Sequence, residues 1–277
     1  MNAPARITVI CALPSEAQAL LEHWRLPTVR ERPFRVYGND VARIVISGIG
    51  SHACAAAVGY AAALQDSRDD DLWLNLGIAG HGQHALGTAL LAARVSHHGR
   101  DGAWYPSLLF TPPCAVAELI TYDVAVSDYP PQACCDMEAA GFMAATSRVA
   151  SGDLVQVMKV VSDNAESGIA GIERSRVYGL MQNALPSVLE LIERLRAVAA
   201  RLPAAVREAE AEALLERWHF THSQAHQLRQ LLQRRALLGR ADALDAATLT
   251  HCRSAAALLA SLRAEVDQLP LPMLAAP

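Results

Sequence analysis

Three short apolar runs most constrain what this chain can fold into: RITVICA (6–12), LWLNLGIAG (72–80) and LVQVMKVVSD (154–163). Each is continuous, too short for a typical buried helix, and bounded by turn-forming or polar residues. Such runs read as strands covered on both faces. Between them lie segments with helical spacing: PSEAQALLEHW directly after the first run, SHACAAAVGYAAALQ at 51–65, and a helix opening near Asp136. FRVYGNDVARIVISGIG contains two strand-like runs around Gly38-Asn39-Asp40, a hairpin signal. Further strands are expected at 88–96 and 118–126. Strands alternating with helices specify an α/β fold around a central sheet, and the hairpin makes that sheet mixed rather than purely parallel.

The pattern changes after about residue 185. From LPSVLELIERLRAVAARL onward, Ala, Leu, Arg and Glu dominate with helical periodicity and no strand is evident. Residues to about 201 are expected to complete an α/β domain, 1–201, with a last helix. An all-helical extension, 202–277, would follow, with two or three amphipathic helices over 202–268 punctuated by Pro203, Gly239 and Pro270. Thr221 and Gln224 have capping-box spacing and mark one helix start.

Composition supports a globular chain with an ample core: 277 residues, 52% hydrophobic and 19% charged. A net charge of −4 without a basic run gives no footprint for nucleic acid. The six cysteines (11, 54, 114, 134, 135 and 252) lie mostly in apolar stretches without CxxC spacing. They read as buried thiols of a reducing compartment rather than a disulfide framework or zinc site. The opening MNAPARITVICALPSEA has no basic leader before a long apolar stretch, and no 18-residue apolar span occurs. The expectation is a soluble cytoplasmic protein with no membrane partner.

Several stretches could carry chemistry. SGIGSHA (47–53) fits a dinucleotide fingerprint through Gly48, Gly50 and Ala53, with acids at 66–71 about twenty residues on. Its strand follows an earlier strand and a hairpin, so a tight strand-to-helix turn is the better reading. NLGIAGHG (75–82) is a second glycine-rich strand end, and VVSDNA (160–165) places Asp163 at the end of an apolar run. A carboxylate there is costly unless paired or used, although a helix cap is the plain alternative. In CCDMEAAGFMAA (134–145), Glu138 is either an acid of a helix's first turn or a grip on a polar ligand. Adjacent His97 and His98 point to opposite strand faces, and His219, His222 and His226 sit on a polar helix. Neither group makes a complete metal-ligand set, and no cofactor is implied.

In order, ITVICALPSEAQAL, VISGIG, NLGIAG, DMEAAG and VMKVVSDNA resemble the nucleoside phosphorylase family over residues 5–195, most closely its methylthioadenosine/S-adenosylhomocysteine nucleosidase branch. The resemblance implies a three-layer αβα fold around a mixed sheet and a homo-oligomer with the active site near a subunit interface. It implies a nucleoside substrate, with Met137 and Glu138 on the ribose and Asp163 assisting the departing base. A carboxylate accepts charge-assisted bonds from vicinal hydroxyls and tolerates an oxocarbenium-like sugar. Protonation of the purine turns a poor anionic leaving group into a neutral one. Ser162 would orient Asp163, Lys159 stands where the nucleosidases carry an arginine near it, and Glu16 matches the carboxylate that activates water. Opposed carboxylates on water and leaving group follow the logic of inverting glycosidases.

The chain departs from the pattern in two places. Ile78 replaces the Ser or Thr of the strand end that closes with Gly80, which argues against a standard phosphate site. The aromatic that stacks on the base aligns with Ala125, next to Val126, so stacking would fall to Tyr122 or to Trp104 and Tyr105. These features imply cleavage of the N-glycosidic bond of a purine or 5′-modified nucleoside, with hydrolysis favoured. Phosphorolysis with a rearranged phosphate site, or nucleoside binding without turnover, are the alternatives.

Overall fold

The first apolar run forms strand β1 (Ile7–Cys11), buried at every position, and PSEAQALLEHW forms helix α1 (Pro14–Trp24) directly after it. A computed structural model describes residues 5–64, 71–130, 132–165, 173–200, 208–237, 240, 244 and 246–269. Packing divides the chain into two units that meet between Ala199 and Ala200. The expected boundary after residue 201 lies outside the described residues, as do Pro203, Gly239, Pro270 and the acids at 66–70.

In the first unit, β2 (Thr28–Arg30), β3 (Arg35–Gly38) and β4 (Ala42–Ile46) make an antiparallel meander. The hairpin turns at Asn39, whose side chain accepts from the amides of Val41 and Ala42 at 3.0 Å. Strand β1 runs parallel to β4 on one side and to β5 (Leu72–His81) on the other. The remaining strands are β6 (Ala89–His97), β7 (Ala103–Trp104), β8 (Ala115–Thr121), β9 (Ala133–Asp136) and β10 (Val155–Asp163). The pairings β5–β10, β10–β6, β6–β8, β8–β9 and β9–β5 close a ring of five strands, with β7 attached to β6. Closure removes exposed strand edges and gathers the ends of β5, β9 and β10 at one place.

Helices cover both faces. Helices α2 (Ser51–Ala62) and α3 (Ala139–Thr146) pack together over Ile10, Val45, Trp73, Val157 and Val161. They approach so closely that a Cβ on Gly141 would fall 1.9 Å from the Ser51 carbonyl oxygen, so only glycine fits there. Helix α1 packs on α4 (Arg174–Ala199), whose buried Val177, Met181, Ala184, Val188 and Leu191 repeat every three or four residues. The result is the three-layer αβα architecture with a mixed sheet.

Two element boundaries differ from expectation. The strand expected over 118–126 ends at Thr121, and residues 122–130 leave the sheet as an irregular segment. This segment carries Pro130 and the exposed Asp123 and Asp128, none of which suits a central strand. The last helix starts at Arg174 rather than near 185 and carries Pro186 within it.

The second unit is all-helical. It contains α5 (Glu208–Arg217), α6 (His222–Leu237), α7 (Ala246–His251) and α8 (Ala255–Gln268), four described helices instead of two or three. Leu214, Leu228, Leu232, Leu258 and Leu262 form its own core. The capping box is present: Thr221 N–H donates to the Gln224 side chain at 3.0 Å, and Gln224 N–H donates to the Thr221 hydroxyl at 3.3 Å. Among the described residues, no helix is long and apolar enough to cross a membrane, and all six thiols are free.

Candidate active site

The turn of α1, the ends of β5, β9 and β10, and the 122–130 segment converge on one open cleft of about 220 Å³. Its lining includes Glu16, Ile78, Val126, Met137, Glu138, Ser162 and Asp163, which the sequence had singled out from five separate stretches. Asp136 also lines it, and the remaining wall is apolar, with Ala12, Leu13, Ile49, Val124 and Ala125.

Glu16 is the third residue of α1, a position where acids are ordinarily solvated. Here it is 3% exposed. One carboxylate oxygen accepts from the Leu13 amide at 2.8 Å, closing the helix start, and the other accepts from the Ile78 amide of β5 at 2.9 Å. The approach depends on Gly77, because a Cβ there would lie 2.7 Å from Glu16 Oε1. Burial pushes the Glu16 pKa up from 4.5 to about 7, against the pull of the Lys159 ammonium and the two amides.

CCDMEAAG divides its two acids by task. Asp136 closes β9 and serves as the helix-start acid, its Oδ2 accepting from the amides of Ala139 at 2.8 Å and Glu138 at 3.3 Å. Its Oδ1 accepts from the Thr121 hydroxyl at 2.7 Å. Glu138 is thereby released from capping its own helix. Its Oε1 instead accepts from the Gly50 amide at 2.9 Å, and its carboxylate faces the cleft. Gly50 holds φ +107 and Gly48 φ +81, conformations that favour glycine, so SGIG is the strand-to-helix turn and its backbone serves Glu138. Burial raises the Glu138 pKa above the ordinary carboxylate value, with Lys159 opposing.

Lys159 does not line the cleft. It is 2% exposed, and its ammonium lies 2.8 Å from Asp136 and 3.8 Å from Glu138. Burial acts to lower its pKa, but Asp136, Glu138 and Glu16 outweigh this and hold it charged. The nucleosidase arginine was expected near Asp163; the lysine here braces Asp136 and Glu138 instead.

Asp163 ends β10 and is 2% exposed. Its Oδ1 accepts from the Ser162 hydroxyl, and its Oδ2 from the Tyr129 hydroxyl at 2.5 Å. Gly80 stands beside this pair, since a Cβ there would fall 2.3 Å from the Tyr129 ring and 2.7 Å from Asp163 Oδ2.

The three expected aromatics are not brought into the cleft. Tyr105 is 70% exposed, and Tyr122 stacks on His98 with ring centres 4.7 Å apart. Trp104 lines a separate cleft with His52, His97 and Arg100. The cleft wall contributed by the 122–130 segment is therefore aliphatic, from Val124 to Val126. His97 is held by the His98 carbonyl at 2.7 Å and by Asp123 at 3.2 Å, and among the described residues no group of three or more ligand-type side chains could hold a metal. Tyr129 and the capping role of Asp136 were missed in the sequence. Tyr129 lies in a segment without periodicity, which gives no cue to where its ring points.

The architecture is that of the nucleoside phosphorylase-like fold. Comparison with solved structures places it beside methylthioadenosine/S-adenosylhomocysteine nucleosidases. The apo 5′-methylthioadenosine nucleosidase of Arabidopsis thaliana superposes with a TM-score of 0.58 at 14% identity, covering 70% of this chain and 97% of that one. The Streptococcus pneumoniae enzyme with the transition-state inhibitor MT-ImmA gives 0.57 at 19% identity, covering 70% and 99%. A Helicobacter pylori nucleosidase variant holding 5′-methylthioadenosine in its active site gives 0.58 at 12% identity, covering 69% and 100%. No protein-family model and no curated protein sequence matches the chain.

Proposed function

We propose that this protein hydrolyses the N-glycosidic bond of a purine nucleoside or a 5′-modified derivative, without a cofactor. The observation that carries the proposal is the different support given to the two outer carboxyl groups of one cleft. Glu16 is held by two amide N–H groups, which can only donate and so favour its carboxylate form. Asp163 is held by two hydroxyls, which can donate to a carboxylate or accept from a carboxylic acid. The first arrangement suits a base that takes a proton from water. The second suits an acid that must carry a proton and give it up.

In this mechanism Glu138 holds the ribose hydroxyls, with Met137 beside it. Lys159 keeps Glu138 and Asp136 from repelling one another. As the C–N bond breaks, its electron pair leaves with the base, which takes a proton from Asp163. The sugar acquires oxocarbenium character, stabilised by the neighbouring carboxylates. Glu16, ionised above about pH 7, removes a proton from the attacking water.

Hydrolysis is favoured over phosphorolysis by charge. Glu16, Asp136, Glu138 and Asp163 line the cleft, and among the described residues no arginine or lysine lines it. Ile78 offers a phosphate its backbone amide only as a donor already committed to Glu16. A phosphate dianion would enter against this field. Structural neighbours whose names record nucleosidase activity and bound methylthioadenosine support the same substrate class. A homo-oligomer and a cytoplasmic location belong to this reading, on the sequence resemblance and the cysteine pattern. The test is a purine nucleoside panel incubated with and without phosphate. Free ribose or its 5′-modified form in both conditions supports the proposal. Ribose 1-phosphate would replace it with phosphorolysis, and binding without product with a non-catalytic role.

A further inference from the structure

The segment between β8 and β9, residues 122–130, does more than wall the cleft. Tyr129 reaches from it across Gly80 to the carboxyl group of Asp163, and its hydroxyl donates to Oδ2 at 2.5 Å. The contact is built in from both sides. Gly80 leaves the space, Gly82 packs with its missing Cβ 3.4 Å from Tyr129 Cβ, and Ser162 takes the opposite oxygen. Tyr129 is not among the cleft-lining residues, although the Asp163 it holds is.

We propose that Tyr129 is a positioning residue for the leaving-group acid, holding Asp163 in one orientation through both of its protonation states. The proposal rests on the nucleosidase reading of the cleft. When Asp163 is ionised, the phenol donates to Oδ2. When Asp163 carries the proton, the same phenol oxygen accepts it in a hydrogen bond, or the proton sits toward the cleft and the phenol still donates to an Oδ2 lone pair. An amide or ammonium in this place could only donate, whereas the phenol oxygen can also accept. The phenol also keeps its own proton throughout, because burial and then the Asp163 carboxylate raise its pKa well above that of a free tyrosine. The net transfer in each turnover is one proton from Asp163 to the departing purine, with Tyr129 unchanged.

The experiment compares Tyr129→Phe with wild type on a purine nucleoside and on a nitrophenyl riboside, whose leaving group departs without a proton. Losing one hydrogen bond to a charged or titrating group should lower kcat on the purine nucleoside by roughly 10- to 100-fold. KM should change little, because Tyr129 does not line the cleft. The nitrophenyl riboside should lose less than about threefold, since acid assistance is unnecessary there. Equal losses on both substrates, or full activity on the nucleoside, would overturn the proposal. A wild-type protein that cleaves neither substrate would instead overturn the nucleosidase reading. A second measurement is independent of turnover: 13C NMR of ring-labelled tyrosine, with Tyr129 assigned by its absence in Tyr129→Phe. Its ionisation should move to lower pH in Asp163→Asn; an unchanged titration would overturn the pairing itself.

Discussion

Glu16→Gln separates a buried working carboxylate from an ordinary helix-start acid, through the pH dependence of stability. Burial lifts the Glu16 pKa from 4.5 to about 7, so the folded protein binds this proton more tightly than the unfolded chain. The corresponding stabilisation is fully present below pH 4.5 and is lost as pH rises toward about 7. The size of this loss is about 3 kcal/mol, an order-of-magnitude figure from 1.36 kcal/mol per tenfold change in proton affinity. Glutamine does not titrate. Its NH2 must face one of the two amides that now donate to Glu16, a cost of about 1–3 kcal/mol that is the same at every pH. The stability of Glu16→Gln minus that of wild type should therefore climb by about 3 kcal/mol from acid to neutral pH and level off by about pH 8. Urea unfolding at a series of pH values measures it, in a Trp218→Phe background. Trp24, Trp73 and Trp104 then report the α/β unit alone. Two parallel stability curves, or a difference that falls as pH rises, would refute the claim that Glu16 is buried and desolvated.

Glu138→Gln keeps the shape of a ribose ligand and removes its charge, so cleavage should fall by about 100-fold or more, the scale of one preorganised electrostatic group, as measured by kcat on a confirmed nucleoside. The helical unit has its own leucine core, so residues 200–277 expressed alone should give a helical circular dichroism spectrum with a cooperative thermal transition. A featureless melt would show that this core needs the rest of the chain.

Much of the α/β unit was legible because its strands are continuous apolar runs, and burial of both faces leaves few other conformations for RITVICA or LVQVMKVVSD. The cleft was legible as five motifs at strand and helix ends, since Glu16, Glu138 and Asp163 break apolar surroundings where a charge is otherwise costly. Other features depend on contacts between segments far apart in the chain. The release of Glu138 from capping required Asp136 to take over, and the short ACCD strand that Asp136 closes was not expected ahead of the helix. Lys159 was placed by family analogy beside Asp163, but the register of β10 shifts between Val161 and Asp163, a break that the apolar run does not announce. Three residues from Ser162 and four from Asp163, its ammonium meets Asp136. The closure of β5 through β10 into a ring, and the crossing of Tyr129 over Gly80, leave no local periodicity to read.

The central claim is that one cleft holds a base for water and an acid for the leaving purine. Its most direct test sets Asp163→Asn and Glu16→Gln against the two leaving groups. Asp163→Asn should nearly abolish cleavage of a purine nucleoside and spare a nitrophenyl riboside, which needs no proton to depart. Glu16→Gln should impair both, because the nucleophile is weakened whatever leaves. Equal loss on both substrates in a folded, ligand-binding Asp163→Asn protein would contradict the account, leaving Asp163 an organiser of its loop rather than an acid.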